Sequence, residues 1–331
     1  MKTYQIAGIG NAIVDVIATV DDRFLERMDI HKAIMQLIDR DRAETLFAAM
    51  QDRAQASGGS VANTLAGAGA LGLRAAFVGR VNDDELGRFY AQDSDKVGAE
   101  FVNAPVAGGE LPTSRSMIFV TPDGERSMNT YLGMSAELGP DDVDETVMAD
   151  SEIVFLEGYL FDKDKGKDAF LKAARACRSS GGMAGIALSD PFCVDRHRDD
   201  FRKLVAEDMD YVIGNEQEWV SLYQANDLED ALAQAATECD LIVCTRSGDP
   251  VWIIRDGVRV EIPVQTVTPV DATGAGDQFA AGFLFGLATG CDMETAGRMG
   301  CMAAAEVIGH IGARPKSDLR AAFRAAGLLT E

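Results

Sequence analysis

The sequence predicts an α/β sandwich of three layers, with a central, mainly parallel sheet covered by helices on both faces and a small β lid. Three observations carry this expectation. From Ser151 onward, short apolar runs (Ile153 to Leu156, Gly185 to Leu188, Tyr211 to Ile213, Leu241 to Thr245) alternate with helical stretches such as Lys165 to Ser179 and Leu228 to Cys239. Short runs without polar alternation suit strands buried on both faces, and strand–helix alternation builds parallel sheets. Polar residues cluster just after these runs, at Gly158-Tyr159, Ser189 to Phe192, Gly214 to Glu218 and Arg246 to Gly248. Ligands of such sheets bind beyond the carboxyl ends of the strands, where these residues fall. The third observation is a hairpin pattern, Ser114 to Val120 and Glu125 to Leu132 around Thr121-Pro122-Asp123-Gly124, which lies outside that rhythm and reads as part of a lid.

At 331 residues the chain is long enough for one large domain, read as residues 1–331 with a lid from about 12–50 and 104–138. Its 47% hydrophobic and 25% charged residues suit a folded globular chain. A formal net charge of -22 repels nucleic acid and anionic membranes, so a phosphate-bearing ligand must be held by a local positive site. The expected partners are therefore small molecules, with the chain a monomer or homodimer. The six cysteines show no C-x-x-C pair, which suits reduced thiols and a cytoplasmic location. No apolar window spans a bilayer, and Asn11 and Asp15 break the apolar N-terminus, so no targeting segment is read.

Taken in order, Tyr4 to Gly10 and Ile13 to Val20 read as strands separated by a turn at Gly10-Asn11. Asp15 inside the second apolar run lies either on an exposed face or in a polar site, because an unpartnered buried acid is costly. Asp22 to Met50 is mostly helical in composition, interrupted near Ile34 to Ile38. Gly58-Gly59-Ser60-Val61-Ala62-Asn63 opens a small-residue helix with Ser60 as its N-cap. Ala75 to Val81 reads as a strand, and Asp83 to Glu85 as a solvated, helix-capping turn. Asn215-Glu216-Gln217-Glu218 reads as a helix start resembling a capping box. Asp256-Gly257 reads as a type I′ hairpin turn. The three histidines are too scattered for a metal site or a triad.

The most informative stretch is Pro269 to Leu287, PVDATGAGDQFAAGFLFGL. A strand-like run, Ile262 to Val270, precedes it, and apolar residues at Phe279, Ala280, Phe283, Leu284 and Leu287 mark one buried helix face. A glycine loop thus feeds a helix start, where the N–H groups of Gly274, Ala275 and Gly276 converge into an anion site. Asp277 in that first turn is either a helix-capping acid or a general base.

The string Asp271 to Asp277 resembles the C-terminal signature of the ribokinase-like, PfkB-type family of small-molecule kinases. Further segments resemble it in order: Gly10, Asn11 and Asp15; Gly58-Gly59-Ser60 with Asn63; Leu71-Gly72 and the strand ending before Asp83; and the N-x-x-E of Asn215 and Glu218. The resemblance implies a ribokinase-like fold and transfer of the ATP γ-phosphoryl group to a primary hydroxyl. It makes Asp277 the catalytic base, the backbone of Gly274, Ala275 and Gly276 the anion hole, and Arg126 a lid arginine reaching the transferred phosphate. Asn11, Asp15, Gly58, Gly59 and Asn63 become acceptor-site residues. Asn215, Thr245, Gly248 and Gly276 become nucleotide contacts, although Ser247 stands where the family carries a glycine. Glu218 would act on Mg²⁺ through water, and backbone carbonyls of Asp271, Thr273 and the loop from Val307 to Pro315 mark a K⁺ site. Several segments (NAIVDVIATVDDRFL, GGSVANT, LSDPF and GNEQE) look most similar to adenosine kinases. That implies an adenine slot, with Tyr159, Leu160 and Phe161 and the lid residues Met35 and Gln36 as candidates, each of which equally suits core packing. A sugar kinase is the alternative acceptor reading. A nucleoside- or sugar-binding protein without catalysis is the alternative of another class.

Overall fold

The computed structural model describes residues 2–329. In chain order the strands are β1 (Tyr4–Ile9), β2 (Ile13–Thr19), β3 (Met35–Leu37), β4 (Ala54–Gly58), β5 (Ala75–Val78), β6 (Ala99–Phe101), β7 (Ser114–Val120), β8 (Arg126–Tyr131), β9 (Ser151–Glu157), β10 (Met183–Ala187), β11 (Tyr211–Asn215), β12 (Leu241–Arg246), β13 (Asp249–Arg255) and β14 (Val258–Ile262). Nine of them form one sheet in the order β14-β13-β12-β11-β10-β9-β1-β5-β6. It is parallel from β12 through β6, while β13 and β14 close one edge as an antiparallel hairpin. The hairpin turn places Asp256 at φ 52° and Gly257 at φ 75°, the two positive values a type I′ turn needs.

Successive strand residues feed opposite cores, as period-2 side chains require. Ile153 and Phe155 join the layer built on the helices Ser60–Ala70, Ala275–Ala288 and Met293–Ile308, whereas Val154 and Leu156 join the layer under Asp164–Ser179, Arg198–Asp208 and Glu216–Tyr223. Glycines let the two C-terminal helices touch: a Cβ on Gly282 would lie 2.5 Å from the Met299 carbonyl oxygen. All six cysteines are free, five of them buried. Among the described residues no helix is long and apolar enough to cross a membrane.

The remaining strands form a second sheet, β3-β8-β7-β2-β4. It takes in β4, which lies outside the expected lid segments 12–50 and 104–138. The sequence hid this strand because Ala54-Gln55-Ala56-Ser57-Gly58 carries no β-branched residue. One face of this sheet, with Val14, Val16, Met117 and Phe119, is buried with Leu25, Ala43 and Leu46 from the helices Asp22–Arg27 and Arg40–Ala49. Register puts Asp15, Ala56, Ser116 and Thr130 on the other face, together with Arg126, Met128, Met35 and Leu37.

Two sequence expectations change. The run Ile262 to Val270 is not a strand, since β14 ends at Ile262 and the residues that follow are mostly exposed. Pro263 lacks the N–H a ladder needs, and Val264, Val267 and Val270 have no sheet face to pack on. Ser60 does not cap its helix: Gly59 does, at φ 110°, leaving the Ser60 hydroxyl free for another partner.

Candidate active site

The helix Ala275–Ala288 begins behind Gly274, whose φ of 82° is left-handed and whose Cβ, if present, would sit 2.6 Å from Ala313 Cα. Only glycine satisfies both constraints. A Cβ on Gly276 would meet nothing within 4 Å, so the helix start opens to a ligand-sized gap. In the first turn the Asp277 carboxylate accepts hydrogen bonds from Ser60 Oγ at 2.7 Å and Asn63 Nδ2 at 3.1 Å. Burial pushes its carboxyl up to about 6 against these two bonds, which favour the ionised form. Two more contacts bind the helices together, from Thr64 Oγ1 to the Asp277 carbonyl and from Gln278 Nε2 to the Asn63 carbonyl, and Gln278 Nε2 also donates to the carbonyl of Ala313 in the later loop.

A cleft of about 180 Å³ lies over this turn, lined by Ser60, Ser189, Asn215, Glu218, Thr245, Gly276 and Asp277 among others. It sits at the carboxyl ends of β10, β11 and β12, as expected for a parallel sheet. The N-x-x-E element is a complete capping box, with Glu218 N–H donating to Asn215 Oδ1 and Asn215 N–H to Glu218 Oε2. Glu218 nevertheless lines the cleft, and burial pushes its carboxyl up to about 7. One carboxylate beside a phosphate site suits Mg²⁺, which keeps several waters and takes few protein ligands. Gly248 lies in the exposed turn after β12, outside the cleft.

Across from Asp277, Asp15 projects from the second sheet. Among the described residues no protein donor hydrogen-bonds its carboxylate, and burial pushes it up to about 6. Gly58 leaves room for it, since a Cβ there would lie 2.6 Å from Asp15 Oδ2; at Gly59 a Cβ would lie 2.1 Å from the Asn11 carbonyl oxygen. Asn11 is spent within the protein: its Nδ2 donates to Glu157 Oε1 at 2.7 Å, and its Oδ1 accepts from Ser135 Oγ at 2.9 Å.

Glu157, at the end of β9, escaped the sequence reading because a single acid closing an apolar run has no local signature. It is 1% exposed and accepts from Asn11 N–H, Asn11 Nδ2 and Val61 N–H, so one carboxylate joins the β1–β2 turn to the Ser60 helix. Burial pushes it up to about 7. Ser60 was also missed as a site residue, although its place in G-G-S-x-x-N was visible.

The expected aromatic slot is only partly there. Phe161 is 1% exposed and stacks on Phe201 in the core on the far side of the sheet, and Leu160 is buried beside it. The residues after β9 curl into a short 3₁₀ turn that directs both inward. Tyr159 stays exposed, its hydroxyl donating to the Ser189 carbonyl. Met35 is exposed, and Gln36 Nε2 donates to Asn129. Arg126 does reach from the second sheet to the glycine motif, where its partner is Asp271, at 2.5 Å.

A parallel sheet with a carboxylate and a glycine-capped helix start at its carboxyl edge, faced by a second sheet, defines a small-molecule kinase of the ribokinase-like α/β fold. Residues 25–320 match the family described as pfkB family carbohydrate kinase, and the chain belongs to it. It is similar to a probable sugar kinase from Rhizobium etli, 44% identical with a TM-score of 0.90, covering 99% of this chain and 100% of that one. It is equally similar to the adenosine kinase of Sinorhizobium meliloti, 46% identical with a TM-score of 0.88, covering 98% and 99% of the two chains. An ATP-dependent ribose-1-phosphate kinase from Halopiger xanaduensis is 29% identical over 83% of this chain and 89% of its own. The protein is a PfkB-type sugar or nucleoside kinase.

Proposed function

We propose that the chain transfers the γ-phosphoryl group of ATP to the 5′-hydroxyl of adenosine, releasing AMP and ADP. Asp277 takes the hydroxyl proton as the oxygen bonds to the γ-phosphorus and the bond to ADP breaks. The N–H groups of Gly274, Ala275 and Gly276 stabilise the charge on the phosphoryl oxygens. Mg²⁺, when bound with the ATP phosphates, neutralises part of that charge, and Glu218 is the carboxylate placed to hold it through water. The second sheet acts as the lid that excludes water.

The nucleoside reading is carried by the inner face of that sheet. On the sheet face that carries the open carboxylate of Asp15 stand Ile13 and Ile17 on its own strand, Met128 two strands away and Met35 and Leu37 three strands away, none of them fully buried. A carboxylate accepts two hydrogen bonds from a ribose 2′,3′-diol, and the apolar neighbours suit a purine. The two arginines nearest Asp15 are engaged elsewhere: Arg126 with Asp271, and Arg314 with Ser57 and Asp93. Among the described residues neither of these arginines is left unpaired for an acidic acceptor, which disfavours sugar acids and sugar phosphates. The sugar kinase reading survives as transfer to a neutral sugar.

ADP release with adenosine, inosine, ribose, fructose, ribose 1-phosphate and 5-dehydro-2-deoxygluconate tests this. We expect adenosine to give the highest kcat/KM; faster turnover of an anionic acceptor would overturn the nucleoside assignment.

A further inference from the structure

The resemblance assigned a K⁺ site to backbone carbonyls of Asp271, Thr273 and the following loop, and here a buried cation of the protein already stands beside that loop, Arg126 on the Asp271 carboxylate. The Asp271 carboxylate is held by protein donors on both oxygens: Oδ1 accepts from Thr273 N–H at 3.0 Å, Oδ2 accepts from Gly312 N–H at 2.9 Å and from Arg126 Nη1 at 2.5 Å, and the Thr273 hydroxyl donates to the same carboxylate. The guanidinium places positive charge where a dissolved cation would have to approach. Two of the loop carbonyls are engaged within the protein as well. Ile308 O accepts from the N–H of Val270 and Asp271, and Ala313 O accepts from Gln278 Nε2. The guanidinium is not a surface accident, since the Arg126 and Asp271 side chains are 9% and 8% exposed.

We infer that Arg126 is a resident cation: it supplies, from the second sheet, the positive charge that K⁺ would supply beside the Asp271 to Asp277 loop, so the chain works without a monovalent cation. The origin of the charge has a consequence for the reaction cycle. A dissolved ion orders the loop whether or not the second sheet is seated, whereas Arg126 does so only when that sheet closes. Arg126 also shares a sheet face with Asp15, so seating the acceptor and ordering the phosphate-binding loop become one event.

The inference rests on the kinase reading for its activity readout alone, and a melting measurement decides it independently. The chain, exchanged into tetramethylammonium buffer, is compared with the same chain in KCl at equal ionic strength, by Tm and by turnover with adenosine and MgATP. Wild-type protein is expected to show the same Tm in both and turnover within about twofold. The R126M protein, which leaves Asp271 without its counter-charge, is expected to gain both Tm and turnover on adding KCl. The R126K protein, which keeps a positive charge, is expected to respond to neither salt. A wild-type Tm raised by KCl, or turnover raised about tenfold, would show that a cation binds with Arg126 in place and would overturn the inference. Failure of R126M to respond would equally overturn it. If no acceptor is turned over at all, the kinase reading fails while the wild-type Tm comparison still decides the cation question.

Discussion

At the residue scale, the site is a set of carboxylates sorted by their partners. Asp277 has two donors that hold it at the helix start, Asp15 has none, and Glu157 has three. The difference assigns their work: Asp15 is left for a ligand, and Glu157 is consumed in joining Asn11 to Val61. Glu157→Gln tests the joining role. A glutamine amide turns an N–H toward one of three N–H donors, and a buried donor left unpaired costs about 1–3 kcal/mol. The Ser60 helix should then shift, raising the KM for the acceptor about tenfold while leaving the KM for ATP unchanged. An unaltered acceptor KM would mean that the three bonds only fold the chain. Asp277 was readable because its glycines stand beside it in sequence. Glu157 was not, because its partners are 146 and 96 residues away.

At the element scale, legibility followed the same division between local and distant causes. The strands β9 to β12 announce themselves as apolar runs, and the type I′ turn at Asp256-Gly257 is set by its own two residues. The capping box at Asn215 and Glu218 was likewise written in four consecutive positions, and it does not compete with a metal-facing role, because the same glutamate both caps the helix and lines the cleft. What failed were readings that needed neighbours. The β-branched run after Ile262 has the composition of a strand and no sheet to join, while β4 has little strand propensity and gains its place from pairing with β2 and from the bonds of Asp93 to Ser57. Ser60 has the chemistry of an N-cap, yet Gly59 takes that position and the hydroxyl turns across to Asp277. Phe161 was expected to face a ligand; the 3₁₀ turn after β9 decides its direction, and no pattern in Gly158-Tyr159-Leu160-Phe161 encodes that.

At the scale of the whole molecule, the burial of carboxylates sets the pH dependence of stability. Asp15 and Asp277 are raised from 3.8 to about 6, and Glu157 and Glu218 from 4.5 to about 7, in each case chiefly by burial. A carboxyl whose folded value lies above its unfolded one binds protons more tightly when folded. Its contribution is therefore fully present below pH 4 and is lost as pH rises through 6 to 7, by about 3 kcal/mol per group at most. Ligand-free protein should accordingly melt at a higher temperature near pH 5 than near pH 8; calorimetry showing a Tm that rises across this range would contradict the assignment of these groups as ionised and unpaired by cations. Function here works against stability, as expected where charge is held ready for a substrate.

Phosphoryl transfer to adenosine by wild-type and Asp277→Asn protein, followed as AMP formed together with the Tm of each, tests whether Asp277 is the base. Asparagine keeps the shape and the bond from Ser60, removes the base, and relieves a buried charge. AMP formation is expected to fall at least about a thousandfold while Tm rises. AMP formed at the wild-type rate by Asp277→Asn protein would contradict that role.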